Sequence, residues 1–261
     1  MPATFAHYRF GVAMLNRMPA DVCRTAKRYR RLFDVGLHGP DLFFFYKPLF
    51  ATKVNRLGNK YHRQTGKEFF SRVCRNLRRE PSEAGQAYLY GVLCHYVLDS
   101  HCHPLVEEYS WEGISSHSRI EAEFDRFLLE QDGKNPPYGM RLTGHMVLTD
   151  PEAEIVSRFY PGAEPKQIRE SLNGMVRIRK ILELPEGVLR KGVIQTMSAG
   201  SEAFRDMVVW PEPDPSCQML NQPLLERYRQ AAQAFPEMLT QLGAHLTYNA
   251  PLKEEFGPIF G

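Results

Sequence analysis

The chain has 261 residues, of which 43% are hydrophobic and 24% are charged, and its formal net charge is +3. This composition is typical of a globular protein and excludes both a disordered chain and one that spans a membrane. The length is sufficient for one substantial hydrophobic core, so we expect a single domain over residues 1–261.

Amphipathic spacing typical of helices recurs along almost the whole sequence, whereas strand-like alternation is scarce. The predicted fold class is therefore all-α, a single compact multi-helix domain. Pro104 is expected to end its helix, because a proline disfavours the α conformation of the residue before it. In chain order, the predicted helices cover residues 6–17, 20–36, 64–77, 83–103, 116–131, 151–160, 165–183, 187–207 and 222–247.

The five cysteines lack the spacing of a thiolate metal site, and their odd number argues against a disulfide framework. We expect free thiols in a reducing compartment. No stretch resembles a secretory signal or a transmembrane segment, so the expected location is cytoplasmic. The densest basic run, residues 27–31, is short enough to be the solvated face of a helix, and no nucleic-acid motif is present.

The predicted helix 83–103 carries three regularly spaced polar residues in an apolar segment. His95, Asp99 and His103 are each four residues apart and project from one narrow helix face. His101 points roughly 160° away, at about 100° per residue, and is excluded from this set. Core histidines bonded to backbone carbonyls are the alternative, but three polar residues in register require a common partner. Because an unpaired carboxylate is costly in an apolar interior, this ladder predicts a metal site.

The next predicted helix repeats the same spacing. His117 and Glu121 are four residues apart, so both side chains can reach one ion from a single helix face. An isolated pair of this kind is more often a surface pair, but its position directly after the ladder favours metal binding. Nitrogen and oxygen ligands without cysteine suit zinc at a hydrolytic site, and manganese and iron are the alternatives.

Three upstream residues complete the candidate set. Asp41 follows a Gly-Pro turn, where capping the turn is its alternative role. His62 precedes the helix predicted from residue 64, and His7 lies near the start; each alone would be an ordinary surface histidine. The aromatic run after Asp41 is a candidate pocket wall, although such a stripe is more often core. Its members are Phe43, Phe44, Phe45, Tyr46 and Phe50.

The order of these residues resembles the zinc-dependent phospholipase C family, which shares its fold with the fungal single-strand-specific zinc nucleases. The resemblance covers about residues 1–125, and the C-terminal half carries no matching motif, so we expect packing helices there. It implies an all-helical domain with two or three zinc ions clustered in a cleft. The implied ligands are His7, Asp41, His62, His95, Asp99, His103, His117 and Glu121.

The resemblance also implies how the ligands divide among the ions. Asp99 would bridge two ions, His7 would belong to the bridged ion, and Asp41 would also orient the attacking water. The ligands implied for one zinc are Asp41, His62, His95 and Asp99, and those for another are His103, His117 and Glu121. Such a cluster hydrolyses phosphodiesters by clamping the phosphate oxygens and lowering the pKa of a bound water.

This resemblance implies a phosphodiesterase whose substrate is a phospholipid head group or a smaller phosphodiester. A nuclease or phosphomonoesterase on the same cluster is one alternative, because the metals recognise phosphate and not the group attached to it. A non-catalytic binding module is the alternative of a different class, since a structural zinc is saturated by protein ligands. The sequence indicates no oligomeric state.

Overall fold

The structure is a computed structural model that describes residues 4–48, 50–134, 143–185 and 187–261. Within these ranges the chain forms helices and no β-strand, which confirms the all-α prediction. The α-helices are α1 (Thr4–Leu15), α2 (Ala20–Arg28), α3 (Arg30–Gly36), α4 (Lys53–His62), α5 (Gly66–Arg79), α6 (Glu83–Trp111), α7 (His117–Gln131), α8 (Asp150–Ser157), α9 (Pro165–Leu182), α10 (Val188–Gly200), α11 (Glu202–Asp206) and α12 (Asn221–Tyr248). Short 3₁₀ helices cover Gly39–Phe45, Gln218–Leu220 and Glu254–Phe256.

Helix α6 forms the centre of the molecule. Every residue from Ala87 to Asp99 is buried, and a helix that is apolar on all sides must be covered on all sides. Helices α1, α2, α3 and α12 pack around it. The approach of α3 is closest at Gly91, where an added Cβ would lie 2.2 Å from the carbonyl oxygen of Phe33. This contact brings the end of α3, and the turn that follows it, against the ladder on α6.

Capping side chains fix the starts of the helices around the ladder. The hydroxyls of Thr52, Thr65, Ser82 and Ser116 each accept a hydrogen bond from the backbone N–H three residues further on. The two threonines form full capping boxes, in which the side chain at the third helical position bonds back to the cap. The starts of α4, α5, α6 and α7 are therefore fixed by local hydrogen bonds.

Three predicted helix ranges were wrong. The range 187–207 is broken at Ser201, whose φ of −159° and ψ of 113° are those of an extended residue. Helix α6 continues past Pro104 to Trp111; Val106 beyond the proline is buried against the core, and this packing offsets the hydrogen bond that proline removes. The predicted helix 20–36 is interrupted at Tyr29, whose ψ of 46° lies outside the helical region. The structure also adds α4, a helix that the sequence pattern did not predict.

The segment after α12 returns to the central helix. Phe256 and Phe260 are fully buried, and the hydroxyl of Tyr96 on α6 donates a hydrogen bond to the carbonyl oxygen of Pro258 at 3.0 Å. The ring of Phe260 lies 6.2 Å from the ring of His95. The C-terminal segment therefore contributes to the surroundings of the ladder, although it carries no motif.

The cysteines and the hydropathy of the helices agree with the sequence. All five cysteines are free thiols, as predicted. In the part of the chain that the structure describes, helices that combine the length and apolarity needed to cross a membrane are absent.

Candidate metal centre

The ladder on α6 is buried in the molecule. His95, Asp99 and His103 are between 1% and 4% exposed. One oxygen of Asp99, Oδ2, lies 3.0 Å from Nε2 of His95, and the other, Oδ1, lies 3.5 Å from Nε2 of His103. The helical spacing therefore places the carboxylate between the two imidazoles, with one oxygen facing each.

Asp41 and His62 meet the ladder at His95. Oδ1 of Asp41 lies 2.9 Å from Nε2 of His62 and 3.8 Å from Nε2 of His95. The 3₁₀ helix that carries Asp41 begins at Gly39, whose φ is 46°. A Cβ on Gly39 would lie 2.5 Å from the ring of His95. Only glycine fits this close approach and this backbone conformation, and the turn thereby presents Asp41 to the ladder.

His7 on α1 approaches the ladder from another side and is not a surface residue. Its Nε2 lies 3.2 Å from Oδ1 of Asp99, and its ring stacks on that of His95 at 4.4 Å. The first turn of α1 is held by Asp125 of α7, whose carboxylate accepts hydrogen bonds from the backbone N–H groups of Phe5 at 3.1 Å and Ala6 at 2.8 Å. Asp125 therefore caps the helix that carries His7, a role that sequence analysis did not detect.

His117 and Glu121 on α7 face the far end of the ladder. Oε1 of Glu121 lies 3.2 Å from Nε2 of His103 and 3.3 Å from Nε2 of His117. The side chain of His117 is 31% exposed, whereas that of Glu121 is 6% exposed. This end of the centre is therefore open to solvent. The candidate ligands at the other end, around His95, are buried.

The eight predicted residues thus form three adjoining groups that could each hold a metal ion. They are His7, His95 and Asp99; Asp41, His62 and His95; and His103, His117 and Glu121. Zinc bonds of about 2.0–2.1 Å in a tetrahedral arrangement place neighbouring ligand atoms roughly 3.3 Å apart. The nitrogen–oxygen separations of 2.9–3.8 Å lie around this value, so the geometry is suited to zinc.

Backbone carbonyls orient two of the imidazoles. Nδ1 of His62 lies 2.7 Å from the carbonyl oxygen of Gly58, and Nδ1 of His95 lies 3.2 Å from that of Leu37. In the neutral tautomer that donates these bonds, Nε2 presents a lone pair to a carboxylate oxygen. Two acceptors face each other stably only when a cation lies between them. The donor set therefore fits a metal ion.

Electrostatics in the centre favour charged groups in spite of burial. Burial acts to raise the pKa of the Asp99 carboxyl, but the neighbouring His103, His95 and His7 outweigh it and hold that pKa well below its usual range. Burial acts in the opposite sense on His103, whose pKa is nevertheless raised to about 9 by Asp99 and Glu121. Asp99 is thus an anion at neutral pH, the state that a metal ligand requires, whereas His103 holds a proton there that zinc would displace on binding.

His101, which the sequence analysis excluded, and the aromatic run after Asp41 lie outside the three groups of ligands. His101 is half-buried and faces the carbonyl oxygen of Val97 on its own helix at 2.8 Å, outside the three groups. Phe43 belongs to the core and Phe50 is 68% exposed. The ring of Phe44 lies near that of His62 and is tilted by 38° to it, with ring centroids 5.2 Å apart. A cavity of about 570 Å³ is lined by residues that include Phe44, Phe45, Ser118, Ile178, Met197 and Phe204, and by none of the eight candidate ligands.

A second histidine pair lies next to the centre and was missed by sequence analysis. Nε2 of His38 is 3.0 Å from Nε2 of His145, and the ring of His145 stacks on Tyr8 at 4.3 Å. Burial, followed by the neighbouring His145, holds the pKa of His38 well below its usual range. These two histidines are 107 residues apart in sequence, so no local spacing could have indicated their contact.

Replacement of Asp125 by alanine is expected to reduce bound zinc by about one equivalent and to destabilise the protein by about 1–2 kcal/mol. The variant removes the acceptor for two N–H groups at the start of α1, and the loss of a helix cap costs about this much. Zinc is measured by atomic absorption and stability by urea unfolding.

Asp132→Ala is the matched control, because Asp132 also contacts α1, through an exposed ion pair with Arg9. Exposed pairs contribute little, so this variant should keep its zinc. Equal zinc loss in the two variants would contradict the role assigned to Asp125.

Comparison with known proteins gives one result. A family model described as zinc-dependent phospholipase C matches residues 6–162, which include all eight candidate ligands. No curated protein and no solved structure matches the chain.

Proposed function

The chain belongs to the zinc-dependent phospholipase C family, and from this premise we propose that it is a zinc-dependent phosphodiester hydrolase whose substrate is a phospholipid head group or a smaller phosphodiester. The family membership agrees with the resemblance of the sequence. The observation that carries the proposal is the position of Asp99, whose oxygens lie within 3.5 Å of imidazole nitrogens from His7, His95 and His103. A carboxylate shared in this way is suited to bridging two ions.

We propose that two or three zinc ions occupy the centre. Asp41, His62 and His95 would hold one ion with Asp99, while His103, His117 and Glu121 would hold another. Asp99 would bridge the first ion to a neighbouring ion, and His7 would be a ligand of that neighbouring ion. Zinc held there would neutralise the phosphate oxygens and lower the pKa of a coordinated water.

Beyond holding the metal ions, residues of the chain are proposed to orient the water, to exclude bulk solvent and to leave a path for the substrate. Asp41 is proposed to orient the attacking water, because its carboxylate lies at the centre, with Oδ1 2.9 Å from Nε2 of His62, and its position on a buried 3₁₀ helix limits its motion. The core around His95 excludes bulk water from the closed side of the centre, which strengthens electrostatic interactions there. The substrate would approach from the side of His117, where the centre is open.

The open side also favours catalysis over a purely structural role. A structural zinc site is closed by protein ligands, whereas a catalytic site retains a free position. The partial exposure of His117 leaves one side of the centre open to a substrate, and a cavity of about 570 Å³ includes Ser118, the neighbour of His117 in sequence, in its lining. We further propose that residues 1–261 act as one domain, since the C-terminal Phe260 packs beside His95.

The purified, zinc-loaded protein is expected to hydrolyse the model substrate bis-p-nitrophenyl phosphate. Separate assays with phospholipid vesicles and with single-stranded DNA then distinguish the two classes of natural substrate. Release of a phosphorylated head group would support the phospholipase activity, and cleavage of DNA would support the nuclease alternative. Bound zinc without turnover of any substrate would favour the structural module.

His101→Ala serves as the control, because its ring lies outside the three ligand groups. This variant should retain zinc and activity. If it loses both, the assignment of the ligands on α6 is wrong.

A further inference from the structure

Helix α9 lies beyond the matched residues 6–162, yet its buried face carries a charged residue. The stripe of buried positions on α9 runs through Ile168, Leu172, Met175, Arg179 and Leu182, a spacing of three and four residues that marks the core side of a helix. Arg179 is 2% exposed. An arginine at such a position is costly unless its guanidinium has a partner.

Helix α9 packs against an element of the metal centre. At Gly174 the helix touches the 3₁₀ helix that carries Asp41, and an added Cβ would lie 2.0 Å from the carbonyl oxygen of Phe45. Arg179 follows Gly174 by five residues. Its charge interacts with the carboxylates of Asp125, Glu183, Glu121 and Asp41. Glu121 and Asp41 are candidate metal ligands.

One edge of the Arg179 guanidinium nevertheless has no hydrogen-bond acceptor among the described residues. Its Nε and Nη2 atoms are buried and have no hydrogen-bond acceptor, and within the described residues no carboxylate lies at ion-pair distance from it. Two other buried arginines differ in this respect. Arg126 forms a bidentate pair with Glu123 at 2.8–3.0 Å, and Arg190 donates to the carbonyl oxygens of Leu182 and Leu184.

We propose that Arg179 binds the phosphate group of the substrate at the metal centre through its Nε and Nη2 N–H groups. These two donors form the edge of the guanidinium that matches two phosphate oxygens in parallel. Such a ligand would supply the acceptors that the protein does not. The inference rests on the proposed function and adds a phosphate-binding residue from a helix outside the matched region.

A purely structural role is the competing explanation. Arg179 could act as a counter-charge for the buried Asp125, on whose carboxyl it exerts an electrostatic effect. The two roles differ in what removal of the charge does. A phosphate-binding arginine without a protein partner can be replaced by an apolar residue with little loss of stability, whereas removal of a counter-charge destabilises the fold and leaves phosphate affinity unchanged.

The test measures the binding of inorganic phosphate to the zinc-loaded protein by isothermal titration calorimetry, so it does not depend on an identified substrate. Arg179→Met is expected to weaken phosphate binding by about 10- to 100-fold, the range expected for charged hydrogen bonds. Zinc content should stay the same, and the thermal midpoint should not fall. Arg179→Lys keeps a charge without the fork and should give an intermediate affinity.

Arg177→Met is the matched control, because Arg177 is exposed on the same helix and undergoes the same substitution. It should bind phosphate like the unmodified protein. Unchanged phosphate affinity in Arg179→Met and Arg179→Lys, or a lower thermal midpoint of Arg179→Met with intact phosphate binding, would overturn the inference. Failure of the unmodified protein to hydrolyse any phosphodiester while it still binds phosphate through Arg179 would count against the proposed function alone.

Discussion

Asp99→Asn is expected to remove more than one equivalent of zinc and to lower phosphodiester hydrolysis by a factor on the order of 10²–10³, the scale seen when one charge-stabilising group is lost from an active site. Asparagine has the shape of aspartate but no negative charge, and its amide nitrogen is not a metal ligand. Both oxygens of Asp99 face imidazole nitrogens that belong to different ligand groups. One substitution should therefore weaken two ions together.

Zinc content and kcat/KM on bis-p-nitrophenyl phosphate provide the two measurements. Asp132→Asn is a suitable control, since the same chemical change then occurs at a partly exposed carboxylate that pairs with Arg9. The loss of one equivalent or less from Asp99→Asn, with activity intact, would mean that Asp99 does not bridge two ions.

Removal of zinc by a chelator is expected to lower the thermal midpoint by roughly 8–16 °C. A ligand present at about a thousand times its dissociation constant stabilises by about 4 kcal/mol, and each kcal/mol shifts the midpoint of a protein of this size by about 2–4 °C. The physical cause is the proximity of Asp41, Asp99 and Glu121, which are buried in one region and need a counter-charge.

Differential scanning calorimetry before and after treatment with EDTA measures this effect. Added zinc should restore the original midpoint, whereas magnesium should not, because nitrogen-rich sites bind zinc far better than magnesium. A midpoint that does not respond to chelation would show that the buried carboxylates are stabilised by the protein alone.

The helical parts of the centre were predictable because they depend on local spacing. His95, Asp99 and His103 share a face for the same reason that His117 and Glu121 do: residues four apart lie one turn apart. The boundaries were less predictable. Pro104 predicts the end of a helix locally, but the burial of Val106 beyond it depends on contacts with the core.

The C-terminal half shows the limit of motif-based reasoning. Arg179 lies on a stripe whose period predicts a core-facing helix, and nothing in the sequence indicates that its charge acts on Asp41 and Glu121. Gly174 lets α9 approach the 3₁₀ helix that carries Asp41. Arg179 is more than 50 residues from both Asp41 and Glu121 in sequence, so no local spacing could have indicated that its charge acts on them.

The sequence by itself determined the all-α class, the family resemblance and the ladder, because helix periodicity and residue chemistry are local properties. Only the tertiary structure decided that His7, Asp41 and His62 reach the ladder and that Asp125 holds α1 in place. Those contacts depend on how separate helices pack. The close approaches at Gly39 and Gly91 permit that packing, and their consequences extend across the chain.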